Sequence, residues 1–382
     1  MKPKILIDAI SLLSPLTGIG RYTYEISERL RRLDNDHEYL YYYGYTSHKL
    51  ILSRVETKNS AETYLLGKAR RILAKNPFVK KISRKIITVL SRITAPEVNL
   101  YWQPNFIPSP GIRTQNTIIS VHDFSFLHHP QWHPKELVEH FAMNFIKGIL
   151  RADRIITGSE YTKKEIVGIL GYDPARIDVI YHGVNHEIFR TLDPAEQKTS
   201  APLPERYILA VGSIEPRKNL TSLLRAYSIL PLDIKKRYKL VLAGPQGWNN
   251  KEIRQMIEKD MDHIVLLGYL SDQDLCVAYN LASIFIYPSF YEGFGIPPLE
   301  AMACGTPVIA SNTSSIPEVC GNCALYIDPK NYEELSDKIE FLLKKDELRQ
   351  ILRLKGQERA RLFSWEKSAF EHLQAFNKIL RT

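Results

Sequence analysis

Short runs of apolar and β-branched residues alternate along the chain with segments whose apolar positions recur every three or four residues. The first pattern is typical of buried strands and the second of amphipathic helices. The predicted strands cover residues 4–9, 117–121, 154–157, 177–181, 207–211, 239–243, 264–267, 284–287, 308–310 and 324–327. Because strands that alternate with helices form parallel sheets, the predicted fold class is α/β.

A polar, proline-containing segment over residues 189–206 separates two groups of predicted strands. We therefore expect an N-terminal domain over residues 1–190 and a C-terminal domain over residues 191–364. Residues 365–382 are predicted to form a last helix, with Ser364 as its N-cap. One face of that helix carries Trp365, Ala369, Leu373, Phe376 and Leu380. Two open-sheet domains in tandem place a ligand site in the cleft between them, at the carboxyl ends of the strands.

The composition excludes several classes of protein. The 382 residues are 44% hydrophobic and 24% charged, as in ordinary globular domains. Asp8 follows the N-terminus too closely for a signal peptide, and no uncharged apolar run approaches the roughly 18 residues of a membrane-spanning helix. The 4 cysteines lie between 276 and 323 and are too few for a disulfide framework. These features predict a cytoplasmic protein.

The formal net charge of +9 is concentrated in one segment. No acidic residue lies between Glu62 and Glu97, and residues 68–92 carry nine cations at helical spacing with apolar residues. They are Lys68, Arg70, Arg71, Lys75, Lys80, Lys81, Arg84, Lys85 and Arg92. This pattern fits a peripheral contact with an anionic membrane or a solvated helical face. It favours nucleic acid least, because aromatic platforms are scarce there.

The segment over residues 291–300 combines the features of an anion site. It follows a predicted strand, contains two glycines, and enters a helix with Pro298 near its first turn. Backbone N–H groups at such a helix start suit a phosphate. Glu292 and Glu300 would repel a diphosphate, so we expect them to accept hydrogen bonds from hydroxyl groups on either side of it. A sugar nucleotide has this arrangement, whereas the simpler alternative is a turn with two solvated glutamates.

Two further groups lie at the ends of predicted strands. Arg217 and Lys218 follow the strand over residues 207–211 and are expected to face the helix start across the cleft. Fixed cations there would stabilise the negative charge that develops on a departing diphosphate. His122 follows the strand over residues 117–121. The alternatives are a surface turn for the cations and a structural role for the histidine.

Other motifs are weaker. Five histidines fall between 122 and 140 without HExxH spacing, so a metal site is not expected. The motif that begins with Gly18 and Gly20 lacks the third glycine of a dinucleotide-binding loop, and the sequence contains no P-loop motif. Cys320 and Cys323 have redox spacing but are interpreted as packing residues.

Residues 292–300 resemble the E-x7-E motif of retaining glycosyltransferases of family 4, which have the GT-B fold. Four more segments match the family in the right order: residues 119–123, 181–185, 211–220 and 267–270. The resemblance implies two Rossmann-like domains facing across a cleft, with the C-terminal helix crossing back to the N-terminal domain. It also implies that a hexose passes from a nucleotide diphosphate sugar to a glycan or lipid-linked glycan acceptor, without a metal or another cofactor.

The motifs most resemble those of mannosyltransferases that assemble bacterial surface polysaccharides, such as the O-antigen of lipopolysaccharide. GDP-mannose is therefore the expected donor. The resemblance implies a catalytic role for His122, Arg217, Lys218 and Glu292. It implies donor binding by Gly18, Gly20, Ser213, Gly244, Tyr269, Leu270, Gly293, Phe294, Gly295, Ile296 and Glu300. The family often has arginine where this chain has Ser213, and Arg217 is expected to supply that charge.

Two other functions remain open at this point. One is a phosphorylase or nucleotide-sugar epimerase of the same fold, which differs from a transferase in its products. The other is a non-catalytic basic module that binds a membrane or nucleic acid. Four residues argue together against such a module, because binding to a membrane or nucleic acid needs none of them: His122, Lys218, Glu292 and Glu300.

Overall fold

The computed structural model describes residues 2–14, 16, 18–52, 96–109, 111–245, 247 and 251–381. In this part of the chain, seven strands form one sheet in the order β3-β2-β1-β4-β5-β6-β7. They are β1 (Lys4–Asp8), β2 (Glu38–Tyr42), β3 (Thr46–Ser47), β4 (Val98–Gln103), β5 (Thr114–Val121), β6 (Arg154–Thr157) and β7 (Ile177–Val179). All neighbours are parallel except β2 and β3.

A second, fully parallel sheet has the order β10-β9-β8-β11-β12-β13. Its described strands are β8 (Tyr207–Val211), β9 (Lys239–Ala243), β10 (Ile264–Gly268), β11 (Ile284–Tyr287), β12 (Val308–Ser311) and β13 (Ala324–Ile327). Both sheets have the doubly wound order of Rossmann-like units: strands are added first on one side of the first strand, β1 or β8, and then on its other side. The predicted α/β class with two such halves is confirmed. Residues 189–206, where the domain boundary is predicted, connect β7 to β8.

The described helices surround both sheets. Those of the N-terminal half are α1 (Ile19–Leu33), α2 (Ser125–His128), α3 (Lys135–Ile149) and α4 (Glu160–Leu170). Those that follow are α5 (Leu220–Ser228), α6 (Leu232–Arg237), α7 (Lys251–Lys259), α8 (Asp272–Leu281), α9 (Ile296–Ala303), α10 (Ile316–Cys320), α11 (Tyr332–Leu343), α12 (Asp346–Ala360) and α13 (Trp365–Leu380). Apolar side chains fill both faces of the second sheet, which explains why its strands are continuous apolar runs.

The last helix, α13, packs on the N-terminal sheet although it follows the second one in sequence. The Ser364 hydroxyl accepts a hydrogen bond from the Lys367 N–H and caps the helix. The Tyr22 hydroxyl on α1 lies 2.6 Å from His372 Nε2, and Arg29 forms an ion pair of 2.7 Å with Glu366. These contacts join α13 to α1, so the end of the chain ties the two halves together.

No helix among the described residues is both long enough and apolar enough to cross a bilayer. Residues 68–92, the basic segment with a predicted membrane contact, lie outside the described residues.

Candidate active site

Three charged side chains meet where β8 and β11 end. Arg217 and Lys218 lie on a short 3-10 helix after β8, and Glu292 lies in the loop after β11. Arg217 Nη1 is 2.6 Å from Glu292 Oε2, and Lys218 Nζ is 2.7 Å from Glu292 Oε1. The prediction that the cations face the helix start across the cleft is wrong, because β8 and β11 are hydrogen-bonded neighbours in one sheet. The cations therefore lie beside the helix start.

Glu292 is buried in this cluster, Arg217 and Lys218 are partly buried, and the carboxylate is strongly held in the charged form. Burial raises the pKa of Glu292, but Arg217 and Lys218 outweigh burial and lower that pKa to about 2. Burial also lowers the pKa of Lys218, which Glu292 offsets only in part. Arg217 Nη2 also contacts Glu215 at 3.1 Å. Two cations and two carboxylates thus balance each other, so a diphosphate that binds here must replace Glu292 as the cations' partner.

The start of α9 offers fewer backbone donors than an ordinary helix. Gly295 is the N-cap with a φ of 107°, and Ile296 is the first helical residue. Pro297 and Pro298 follow and have no N–H group. The Glu292 N–H is already used, since it donates to Ser314 Oγ at 3.0 Å. Arg217 and Lys218 must therefore supply most of the attraction for an anion here.

Glycines bring the ends of β8 and β9 close together. A Cβ added to Gly244 would lie 2.1 Å from the Gly212 carbonyl oxygen, so no side chain fits there. Ser213 follows Gly212 and is partly buried. On the N-terminal side, Gly18 precedes α1 with a φ of 42° and has open space around it. A Cβ on Gly20 would approach the Ser11 carbonyl oxygen at 3.3 Å.

The remaining predicted donor residues are spread along the same edge of the second sheet. Tyr269 and Leu270 follow β10, which is three strand positions, or about 14 Å, from β11. The Tyr269 side chain is exposed, and Leu270 packs partly against the core. Phe294 is buried, with the centre of its ring 4.8 Å from the centre of the His182 ring, so its side chain packs in the core.

Glu300 lies on α9 in a second buried charged group. Its Oε2 accepts a hydrogen bond of 3.1 Å from the Tyr279 hydroxyl. Burial raises the pKa of Glu300 to about 7, and the nearby Arg21 guanidinium opposes this only in part. Arg21 of α1 donates to Asp272 of α8 at 2.5 Å. This ion pair joins the start of α1, where Gly18 and Gly20 lie, to the C-terminal domain.

His122 and Gly293 touch across the two domains. A Cβ added to Gly293 would lie 1.8 Å from the His122 carbonyl oxygen, so only glycine permits this approach. His122 Nε2 donates to the Pro104 carbonyl at 2.7 Å, and burial lowers the pKa of the ring. Ser159 Oγ donates to the Gly293 carbonyl at 2.7 Å. The structure therefore brings His122 to the loop that carries Glu292.

Two family models match the chain. The model described as Glycosyltransferase Family 4 covers residues 16–188, and the one described as Glycosyl transferases group 1 covers residues 193–359. The O-antigen chain mannosyltransferase B of Escherichia coli is 32% identical to 98% of this chain, over 100% of its own length. The chain belongs to glycosyltransferase family 4.

Solved structures show the same fold for this glycosyltransferase. Sucrose-phosphate synthase from Thermosynechococcus elongatus has a TM-score of 0.72 at 20% identity, with 100% of both chains covered. Anabaena Alr3699/HepE in complex with UDP-glucose has a TM-score of 0.66 at 16% identity, again over 100% of both chains. The expected GT-B architecture is confirmed by these neighbours.

Sequence reasoning missed the groups by which the N-terminal domain of this glycosyltransferase contacts the loop between β11 and α9. The Tyr291 hydroxyl donates to Glu165 Oε2 at 2.5 Å and accepts from the Phe124 N–H at 2.9 Å. Glu318 accepts from the N–H groups of Glu160 and Tyr161 at the start of α4. Tyr291 directly precedes Glu292, so its position in the motif is a signal that could have identified it, whereas nothing in the local sequence marks Glu165.

The histidines between 122 and 140 have separate partners. His128 contacts Glu165, and His133 Nε2 is 3.0 Å from Ser125 Oγ. Among the described residues, no group of three or more histidine, cysteine or acidic side chains has an arrangement that would hold a metal ion. Cys320 and Cys323 are free thiols in the core, as the packing interpretation predicts.

Proposed function

We propose that this glycosyltransferase moves mannose from GDP-mannose to a glycan or lipid-linked glycan acceptor during assembly of a bacterial surface polysaccharide. The description of the Escherichia coli relative as an O-antigen chain mannosyltransferase supports this choice of sugar and process. The observation that carries the proposal is the cluster of Arg217, Lys218 and Glu292, buried beside the backbone of His122. It combines two cations for a diphosphate with a carboxylate for sugar hydroxyls.

The cations are proposed to bind the diphosphate and to stabilise its departure. As the bond between the sugar C1 and the diphosphate oxygen breaks, negative charge grows on that oxygen. Arg217 and Lys218 both contact the Glu292 carboxylate, so the two positive charges are gathered at one place before the donor binds. These two charges do what Mg²⁺ does in other transferases, and the proposed reaction therefore needs no metal or other cofactor.

Glu292 is proposed to change partners when the donor binds. The diphosphate draws the two cations toward itself, and the carboxylate then accepts hydrogen bonds from hydroxyls of the transferred hexose. The low pKa of Glu292 keeps it charged for this task at any pH near neutrality. The Glu292 carboxylate would thus fix the sugar between the C-terminal sheet and the backbone of His122.

The transfer is proposed to retain the anomeric configuration. The acceptor oxygen forms its bond to C1 on the face from which the diphosphate leaves, through an oxocarbenium-like state. The bond from C1 to the diphosphate breaks, and the proton of the acceptor hydroxyl passes to the departing diphosphate. No covalent sugar–enzyme intermediate is required.

A thermal-shift panel of GDP-, UDP- and ADP-sugars tests the choice of donor. A ligand at a hundred times its dissociation constant stabilises the folded state by about 2.7 kcal/mol. We expect GDP-mannose and GDP to raise the Tm by more than the uridine or adenine analogues do. A larger shift with UDP-sugars would overturn the proposed base, and no shift with any nucleotide sugar would overturn the proposed reaction.

Glu300 is proposed to bind the ribose hydroxyls, and Glu300→Gln tests this with two opposed effects. With a pKa of 4.5 when unfolded and about 7 when folded, protonated Glu300 stabilises the fold below pH 4.5, and this contribution is lost as the pH rises to about 7. We therefore expect the variant to have a higher Tm than the wild type at pH 8, with the difference shrinking toward pH 5. Its affinity for GDP should fall about tenfold, as a neutral acceptor replaces a charged one.

Differential scanning calorimetry and calorimetric GDP titrations at both pH values give these two readouts. Unchanged GDP affinity at pH 8 would contradict the ribose role, whatever the Tm does. A lower Tm at pH 8 would contradict the burial of an unfavourable charge.

Residues 68–92 are proposed to contact the inner face of the membrane reversibly, which suits a lipid-linked acceptor. Each of their nine cations contributes up to about 1 kcal/mol near an anionic surface, and salt weakens this attraction. Reversing Lys80, Lys81, Arg84 and Lys85 to glutamate should release the protein from anionic vesicles in co-sedimentation. Transfer to a short soluble acceptor should survive. Failure of the wild type to bind such vesicles at low salt would end this proposal.

A further inference from the structure

The Asp123 carboxylate lies at the meeting point of the two domains and has no role in the donor site described above. Asp123 follows His122 at the end of β5, in the N-terminal domain. A Cβ added to Gly293 would lie 3.0 Å from the Asp123 Cβ. The side chain of Asp123 therefore begins where the loop of Glu292 touches the N-terminal domain.

Only one oxygen of Asp123 is used within the described part of the chain. Oδ1 accepts from the Ser125 N–H at 2.9 Å and from the Ser125 hydroxyl at 2.7 Å, which fixes the start of α2. No hydrogen bond to Oδ2 is found among the described residues, and the side chain is partly exposed. The contacts of Ser125 with Oδ1 thus fix the carboxylate, and Oδ2 remains able to accept a hydrogen bond from a ligand.

The electrostatic surroundings place Asp123 opposite the diphosphate cations. Although burial lowers the pKa of Arg217, Glu292 and then Asp123 raise it above its usual value. Burial lowers the pKa of His133, on the same side of the junction, and Asp123 opposes this only in part. Asp123 of the N-terminal domain therefore lies close enough to Arg217 of the C-terminal domain to interact with it electrostatically.

We propose that Asp123 Oδ2 accepts a hydrogen bond from the acceptor hydroxyl to which the sugar is transferred. This inference rests on the proposed transferase function. A carboxylate fixed by Ser125 orients the acceptor hydroxyl so that the hydroxyl oxygen points at C1 of the donor. Holding the two reacting groups in this geometry lowers the entropic cost of the transfer. The carboxylate accepts the hydrogen bond without taking the proton, and the site would select hydroxyl-bearing acceptors.

Two matched variants separate this role from a purely structural one. Asp123→Asn keeps an oxygen that can accept from Ser125 and removes the charge, whereas Ser125→Ala removes the hydroxyl contact and keeps the charge. The assay uses GDP-mannose as donor, or the donor that the thermal-shift panel selects, with octyl mannoside and a mannose disaccharide as acceptor probes. Three quantities are measured: kcat/KM for acceptor, the slow donor hydrolysis without acceptor, and GDP affinity.

For Asp123→Asn we expect kcat/KM for both acceptors to fall about ten- to a hundredfold, because a charged hydrogen-bond acceptor is lost. Donor hydrolysis and GDP affinity should stay within twofold of the wild type. Ser125→Ala keeps the charge and the N–H contact, so it should lose much less kcat/KM than Asp123→Asn. Normal transfer by Asp123→Asn would overturn the inference. An equal loss in hydrolysis, or in Ser125→Ala, would also overturn it in favour of a donor or structural role. A wild-type protein that transfers no sugar would instead contradict the proposed function.

Discussion

Replacement of Glu292 by alanine is expected to lower kcat at least about a hundredfold, while GDP still binds at least as tightly as to the wild type. Arg217 and Lys218 both contact this carboxylate, so its removal frees them for a diphosphate. The hexose loses the group proposed to hold its hydroxyls, and only the sugar-dependent step suffers. Single-turnover transfer and calorimetric GDP titration measure the two effects.

Glu292→Gln is the matched control, because it keeps hydrogen-bonding capacity and removes the charge. It should bind GDP like the alanine variant and retain part of the activity. If both variants lost GDP affinity as strongly as Glu300→Gln, the proposed division between a sugar-binding and a ribose-binding carboxylate would be wrong.

Replacement of Lys218 by methionine is expected to lower kcat by about a hundred- to a thousandfold, with a much smaller effect on the donor KM. The methionine fills similar volume without the charge that stabilises the departing diphosphate. Steady-state kinetics with varied donor give both constants. An unchanged kcat with a raised KM would mean that Lys218 binds ground state and transition state equally, and its transition-state role would be excluded.

Lys218→Met is also expected to destabilise the fold, so its Tm must be measured together with its kinetics. Lys218→Met leaves the buried Glu292 with Arg217 as its remaining cationic partner, and breaking a buried pair is destabilising. The double variant Lys218→Met/Glu292→Gln removes the uncompensated charge. We expect it to recover much of the lost Tm and none of the lost kcat, which shows that the kinetic defect is not a consequence of unfolding.

The strands that the sequence predicts best are buried on both faces. β6, β8, β9, β11 and β13 begin and end where their apolar runs do, because a covered parallel sheet requires apolar side chains on both sides. The sequence does not predict the two-residue β3, nor β2 and β4. Their sequences, EYLYY and VNLYWQ, are aromatic and polar rather than β-branched. Tyr101 and Trp102 of β4 are nevertheless buried, and their polar groups find partners: the Tyr101 hydroxyl donates to Asp8 and the Trp102 indole N–H donates to Ser120.

Motif positions at strand ends are readable from the sequence, whereas contacts between the domains are not. Arg217, Lys218 and Glu292 follow predicted strands, so their shared edge of the sheet follows from topology. Their mutual pairing depends on β8 and β11 being neighbours, which the order of strands along the chain does not reveal. The pair Arg21 and Asp272 depends on how two separately folded sheets dock. The placement of the cations across the cleft was wrong because β8 and β11 are neighbours within one sheet.

Product analysis by NMR after incubation with GDP-mannose and octyl mannoside tests the proposed retaining transfer most directly. We expect GDP and a new disaccharide in equal amounts, with the α configuration of the donor retained and with full activity in EDTA. Release of mannose 1-phosphate, epimerised nucleotide sugar, or a β-linked product would contradict it.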